Sequence, residues 1–273
     1  MNQSEKRQFL IRSLLQEHPE YRDMGIPADT NSQRQLFRGL MNIRAPRRIG
    51  ADFLKTQDAY LQGETAAKGI TDIADLTPIQ SGLYLWQGDI TTLRCDAIVN
   101  AANSGMTGCY IPNHRCIDNA IHTYAGVELR LACEELMEQQ GYPEPTGQAK
   151  ITPAFNLPCR YVLHTVGPII DGRVTKADKE LLASCYRSCL ELAAENGLES
   201  MAFCCIFHRG VSFSQRAGGR DCRPDGQRIS QKANQCEEGD LQCFQGFGQS
   251  HLRKAALSRW NGCKQLCKTV IPL

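Results

Sequence analysis

Apolar residues in the first eighty positions recur every three to four residues, which predicts helices. "RQFLIRSLLQEH" has this spacing. "TNSQRQLFRGLMNI" repeats it, with Asn31 or Ser32 as the N-cap, and "GADFLKTQDAYLQGE" repeats it again. Pro27, Pro46 and Gly50 punctuate the three. From about Ser81 the texture changes to short apolar runs that end in polar turn residues. "GLYLWQGDIT", "CDAIVNAAN", "AKITPAFNL", "RYVLHTVGP" and "SMAFCCI" predict strands. "CIDNAIHTYAGVELRLACEELMEQQ" predicts one long helix between them, and "ADKELLASCYRSCLELAAENGL" a second that ends at Gly197. Strands alternating with helices argue an α/β fold, a three-layer sandwich with a mostly parallel central sheet. Ligands in such sheets bind beyond the carboxyl ends of the strands. "GDIT", "NAAN" and "TVGP" all fall there, so they are expected to share one rim.

The pattern fails after Ile206. Residues 207–273 hold eight glycines, eight glutamines and five cysteines, with only nine valines, isoleucines or leucines, and no period survives. A disordered tail rarely carries so many cysteines. A codon choice exists for Phe207 to Gln227 that, read one base later, encodes "STGVFHFPKERAAEIAVQTV", a turn followed by an amphipathic helix. Gly239 to Lys254 allows the same operation and gives "VIFNVFKDLDNLIYGK". The organisation expected is a helical extension over 1–80, an α/β domain over 81–206, and an out-of-frame tail over 207–273.

Composition narrows the function. The chain is 42% hydrophobic over 273 residues, enough for a sizeable core. A net charge of +2 and the lack of a basic stripe interleaved with aromatics argue against nucleic acid as the partner. No run of 18 apolar residues predicts a membrane span. The amphipathic start lacks a signal-peptide core, so a cytoplasmic location is expected. Fourteen cysteines in so long a chain suggest reduced thiols or metal ligands rather than a disulfide framework. Cys185, Cys189, Cys204 and Cys205 sit in apolar runs and are expected to be buried small hydrophobes.

The densest chemistry lies in "NAANSGMTGCYIPNHRCIDNAIH". Cys109, His114 and Cys116 offer two thiolates and an imidazole, a zinc donor set that leaves the fourth tetrahedral position open. The bland alternative is two buried thiols and a surface histidine. Asp89 in "WQGDIT" either caps the next segment or accepts a hydrogen bond from the amine of a base. Asn100 and Asn103 either form turns or hold sugar hydroxyls. Asp118 complements a helix N-terminus. His164 reads as a histidine satisfied within the core.

Together, "GDIT", "DAIVNAAN", "CIDNAIHTYAG" and "YVLHTVGP" resemble a macrodomain, the ADP-ribose-binding α/β/α fold. The "GMTGCYIPNHRC" insertion and the helical extension are similar to the zinc-containing microbial macrodomains that remove ADP-ribose from proteins, and the likeness spans about residues 5–206. It implies that Asp89 recognises adenine beside the Ile90 backbone, and that Asn103 holds the distal ribose. Cys109, His114 and Cys116 would ligate zinc next to that ribose. Asp118, with the Ile117 backbone, would meet the phosphate–ribose region, and Val166 and Gly167 would line the cleft. Asn103 and Asp118 are then the catalytic candidates, with Cys116 also facing the ligand. The implied reaction is hydrolysis between the anomeric ribose carbon and a protein side chain. The implied partners are a sirtuin-type ADP-ribosyltransferase and a lipoylated carrier protein as its substrate. A module that binds ADP-ribose without cleaving it is the alternative. The family also carries a phosphate-binding turn, S-T-G-x-F-x-F-P, directly after the "AFCCI" strand. This chain has "FHRGVSFS" there, so impaired folding or activity is expected.

Overall fold

A computed structural model describes residues 1–21, 23–79, 82–170 and 173–206, and the backbone of 208–209 and 241–246. Most of the segment read as out of frame lies outside the described residues.

Three helices open the chain: α1 (Gln3–Gln16), α2 (Thr30–Ile43) and α3 (Ala51–Lys68). Asn2 caps α1 in a reciprocal box with Glu5. The cap of α2 is Asp29, not Asn31 or Ser32 as expected. Its carboxylate accepts from the Ser32 amide at 2.8 Å. A cap precedes the helix and bonds an amide two or three residues on, which places Asn31 and Ser32 already inside the first turn. Leu10, Ile11, Phe37, Leu40, Tyr60 and Leu61 make the shared core of the three helices, and Val127 of the following domain packs into it.

Six strands form the main sheet: β1 (Leu83–Gln87), β2 (Ala97–Ala102), β3 (Ala149–Pro153), β4 (Tyr161–Val166), β5 (Ser200–Phe203) and β6 (Leu241–Gly246). Their order is β1-β6-β5-β2-β4-β3. β5, β2 and β4 pair in parallel, β3 runs against β4, and β6 runs against both β5 and β1. β1, β2, β4 and β5 therefore share one direction. The strand at 241–246 fills a sheet position although no sequence period predicts an element there.

Alternation sets the layers. Ile98 and Val162 face α4 (Ile117–Ala125) and α5 (Val127–Gln140). Val99 and Leu163 face α6 (Lys176–Glu195), which buries Cys185 and Cys189. The result is the expected three-layer α/β/α arrangement, with the N-terminal helices packed beside α4 and α5.

Two further readings need correction. The single helix expected across 116–140 is two helices, broken at Gly126, whose φ is +98°. A Cβ at Gly126 would lie 2.6 Å from Gln57 Nε2, and Gln57 Oε1 accepts the Val127 amide at 2.9 Å. A side chain from α3 thus occupies the break, a contact that no apolar period encodes. Cys205 is exposed, while Cys185, Cys189 and Cys204 are buried as expected. β5 ends at Phe203, so Cys205 lies past the alternating positions. Gly197, with φ +64°, takes the left-handed position just past α6.

Candidate functional site

β1, β2 and β4 end on one rim, because they point the same way. Past β1, Asp89 caps a short turn and accepts from the Thr91 amide at 3.0 Å, the capping role that its position allowed. Its other oxygen pairs with Lys68 Nζ at 2.9 Å. That lysine also lies 3.4 Å from the Tyr124 ring centroid. Burial raises the Asp89 carboxyl, but the Thr91 and Lys68 contacts outweigh it and hold the pKa below the usual range. Ile90 beside it is fully buried. Past β4, Val166 is buried and Gly167 lies against the Ile206 carbonyl so closely that a Cβ would collide with it. The exits of β4 and β5 therefore touch.

Asn100 is fully buried within β2, and Asn103 follows the strand. Asn100 Nδ2 donates to Asp118 Oδ1 at 2.8 Å and faces His164 Nδ1 at 3.1 Å. A donor at Nδ1 leaves the ring proton on Nε2, which meets Thr152 Oγ1 at 2.9 Å. Burial depresses the His164 pKa to about 3, so the ring is neutral and core-satisfied, as the sequence suggested. Asn103 Nδ2 reaches Asp118 Oδ2 at 3.2 Å and the Gly108 carbonyl at 3.1 Å, and its oxygen accepts the Gly105 amide at 2.9 Å.

Asp118 begins α4 as expected, but its carboxylate turns inward. It is buried between Asn100, Asn103 and His122, whose Nε2 lies 3.5 Å away. Burial pushes its pKa up to about 7, against the Asn100 hydrogen bond. Among the described residues the buried side-chain atoms lacking a hydrogen-bond partner are Asn100 Oδ1 and both His122 nitrogens, all in this cluster.

Cys109, His114 and Cys116 are brought together, with donor atoms within 4.8 Å of one another. Cys109 Sγ lies 3.5 Å from His114 Nδ1. Tetrahedral zinc, with Zn–S about 2.3 Å and Zn–N about 2.0–2.1 Å, sets sulfur and nitrogen about 3.5 Å apart, so the donor set fits zinc. The Cys116 thiol donates to Cys109, which lowers the Cys109 pKa to about 5 and raises that of Cys116. Cys116 is also the N-cap of α4, its sulfur accepting the Asn119 amide at 3.4 Å. The Ile117 and Asp118 amides lead that helix, where amides lack intrahelical partners and the dipole favours an anion.

His122, Cys133 and His164 form a second buried trio of donors. It is poorly suited to a metal, because Asn100 and Thr152 occupy both His164 nitrogens and burial raises the Cys133 thiol to about 12.

The sequence reading missed the side chains that hold the metal-type loop. Arg38 and Asn42 come from α2 and Asn119 from α4. Arg38 sits in "LFRGLMNIR", a stretch read as helical and as part of the likeness to zinc-containing macrodomains, but with no role assigned to the arginine.

A family model described as "Macro domain" matches residues 99–213. The protein-ADP-ribose hydrolase of Treponema medium is 59% identical over 210 residues, covering 76% of this chain and 80% of its own length. The chain belongs to the macrodomain family. Among its macrodomain relatives, the protein-ADP-ribose hydrolase of Staphylococcus aureus (strain MSSA476) is 45% identical over 210 residues, covering 76% of this chain and 79% of its own length. A crystal structure of a Trypanosoma brucei macrodomain in complex with ADP is 30% identical, covers 63% of this chain and 73% of its own, and has a TM-score of 0.45.

Proposed function

We propose that this macrodomain is built as a zinc-dependent hydrolase that removes ADP-ribose from mono-ADP-ribosylated protein. The convergence of Cys109, His114 and Cys116 at zinc-like spacing, beside the Asn103–Asp118 pair, carries the reading. The names of the Treponema and Staphylococcus relatives support the reaction class. A zinc held by Cys109, His114 and Cys116 would supply Lewis acidity, either to a ribose oxygen or to a bound water. Asn103, whose Nδ2 donates to Gly108 and Asp118, presents the remaining lone pair of its amide oxygen to a hydroxyl of the distal ribose. Asp118 holds that amide in place from beneath, and the Ile117 and Asp118 N–H groups face the diphosphate. Asp89 and Ile90 receive the adenine end, with Val166 and Gly167 along the cleft. A lipoylated carrier protein, modified by a sirtuin-type transferase, is the proposed substrate, and the cytoplasm the proposed location.

Activity of this chain is proposed to be impaired, because "FHRGVSFS" stands where the family's phosphate-binding turn follows β5. Backbone N–H groups of such a turn cradle phosphate, and this sequence lacks the glycine pattern to present them. About a quarter of the chain falls outside the Treponema match, the size of segment 207–273. The test compares this chain with one in which "STGVFHFPKERAAEIAVQTV" follows Ile206. The restored chain should release ADP-ribose from a modified carrier protein, stop on chelation, and melt higher with ADP-ribose. This chain should do so weakly. Equal ligand-induced stabilisation of the two would refute the impairment, and chelator-resistant turnover would refute the zinc role.

A further inference from the structure

One side of α2 lies against the loop that carries Cys109, His114 and Cys116. Arg38 Nη2 donates to the His114 carbonyl at 3.0 Å. Its Nε and Nη2 also fork onto Asn119 Oδ1, at 3.1 and 2.9 Å. Asn119 is fully buried and passes this hold inward. Its Nδ2 donates to the Cys109 and Ile111 carbonyls at 3.4 and 3.0 Å, and its amide reaches Cys116 Sγ at 3.4 Å. One guanidinium is thereby connected to the backbone or sulfur of all three donor residues.

Asn42, one turn further along α2, makes a second tie. Its Oδ1 accepts the Asn113 amide at 2.9 Å, and its Nδ2 donates to Thr123 Oγ1 at 2.9 Å. Asn113 has φ +56°, so this tie grips the loop at its left-handed residue. Arg130 of α5 closes the arrangement. It donates to the Asn42 carbonyl at 2.8 Å and lies 4.2 Å from the Tyr110 ring centroid.

The donor loop has no helix or strand of its own between Ala102 and Ile117. Its shape therefore rests on side-chain and turn contacts: the Asn103 bonds to Gly105 and Gly108 hold its first half, and these ties hold the half that carries the donors. We propose that Arg38 and Asn42 are positioning residues of the metal centre, so that the N-terminal helical extension pre-forms the zinc-binding loop. The proposal rests on the zinc reading above. Partners that orient metal ligands are worth roughly 10–100-fold in metal affinity.

The experiment uses the full chain as wild type, Arg38→Ala, Arg38→Lys and Asn42→Ala. Zinc affinity is measured by competition with a chromogenic chelator, metal-free stability by thermal melting, and the ligand set by the cobalt(II) absorption spectrum. The expected result is zinc binding roughly 10–100-fold weaker in each variant. The cobalt–thiolate band should keep its shape, because the donors are unchanged, and the metal-free melting midpoint should fall only by the few degrees that lost buried hydrogen bonds cost, without ranking the variants as zinc affinity does. Arg38→Lys should fall with Arg38→Ala, since an ammonium keeps the charge but loses the planar fork. Affinities within twofold of wild type overturn the proposal, as does a loss of affinity that simply follows the metal-free melting point. If Arg38→Ala does not fold, a folded Arg38→Lys with wild-type affinity overturns it alone. A wild type that takes up no zinc overturns the metal reading itself, which is a distinct result.

Discussion

At the scale of single residues, burial decides which side chains carry charge. His164 is fully buried, and its pKa is depressed to about 3 against an ordinary value of 6.5. Its folded pKa lies below its unfolded one. The stability tied to its neutral form is therefore complete above about pH 6.5 and is lost as pH falls from there toward 3. Between pH 7.5 and 5 the loss is about 2 kcal/mol. Asp118 acts in the opposite sense, because burial raises its pKa to about 7 and so favours the folded state as pH falls. Comparing wild type with His164→Asn removes that shared contribution. The stability gap from urea unfolding at the two pH values should shift by about 2 kcal/mol toward the variant at pH 5. A gap independent of pH would mean that the imidazole is not held neutral by burial.

At the scale of elements, local pattern and distant contact divide the structure between them. The helices of the extension and strands β1 to β5 were legible, because each repeats its own period over several residues. The metal-type trio was legible too, because its three donors lie within eight positions. The ties that hold its loop were not. Arg38 meets Asn119 and Asn42 meets Thr123 across 81 positions in each case, and nothing local marks them. Cap identity failed at α2 for a subtler reason. Asp29, Asn31 and Ser32 are all good cappers, and only the path of the chain into the helix selects Asp29. The break at Gly126 is the clearest case, since apolar spacing runs straight through it. Gly126→Ala should cost about 2–3 kcal/mol, combining strain at a left-handed φ with displacement of Gln57. In urea the midpoint should fall with an unchanged slope. A loss under about 0.5 kcal/mol would show that the helices do not need this kink.

At the scale of the whole molecule, the question is whether the extension and the α/β body are separate units. Polar ties cross between them from Gln57 to the end of α3. Gln57 accepts the Val127 amide at 2.9 Å, Asp58 accepts from Asn156 at 2.8 Å, and Lys68 pairs with Asp89 at 2.9 Å. Val127 also leaves the α/β body to join the core around Leu10. An extension attached only by a linker would lack such buried exchange of partners, so the two are expected to unfold as one cooperative unit. Leu10 offers a probe remote from the rim, because it is fully buried in the helical core. Leu10→Ala should destabilise by about 2–5 kcal/mol. Trp86 on β1 reports the sheet, and a Trp260→Phe background leaves it as the sole tryptophan of the two in the chain. Far-UV circular dichroism and Trp86 fluorescence should then shift together, with one midpoint in both wild type and variant. An early helical transition that leaves Trp86 fluorescence in place would split the molecule in two. It would also count against the proposed role of α2 in shaping the loop that carries Cys109, His114 and Cys116.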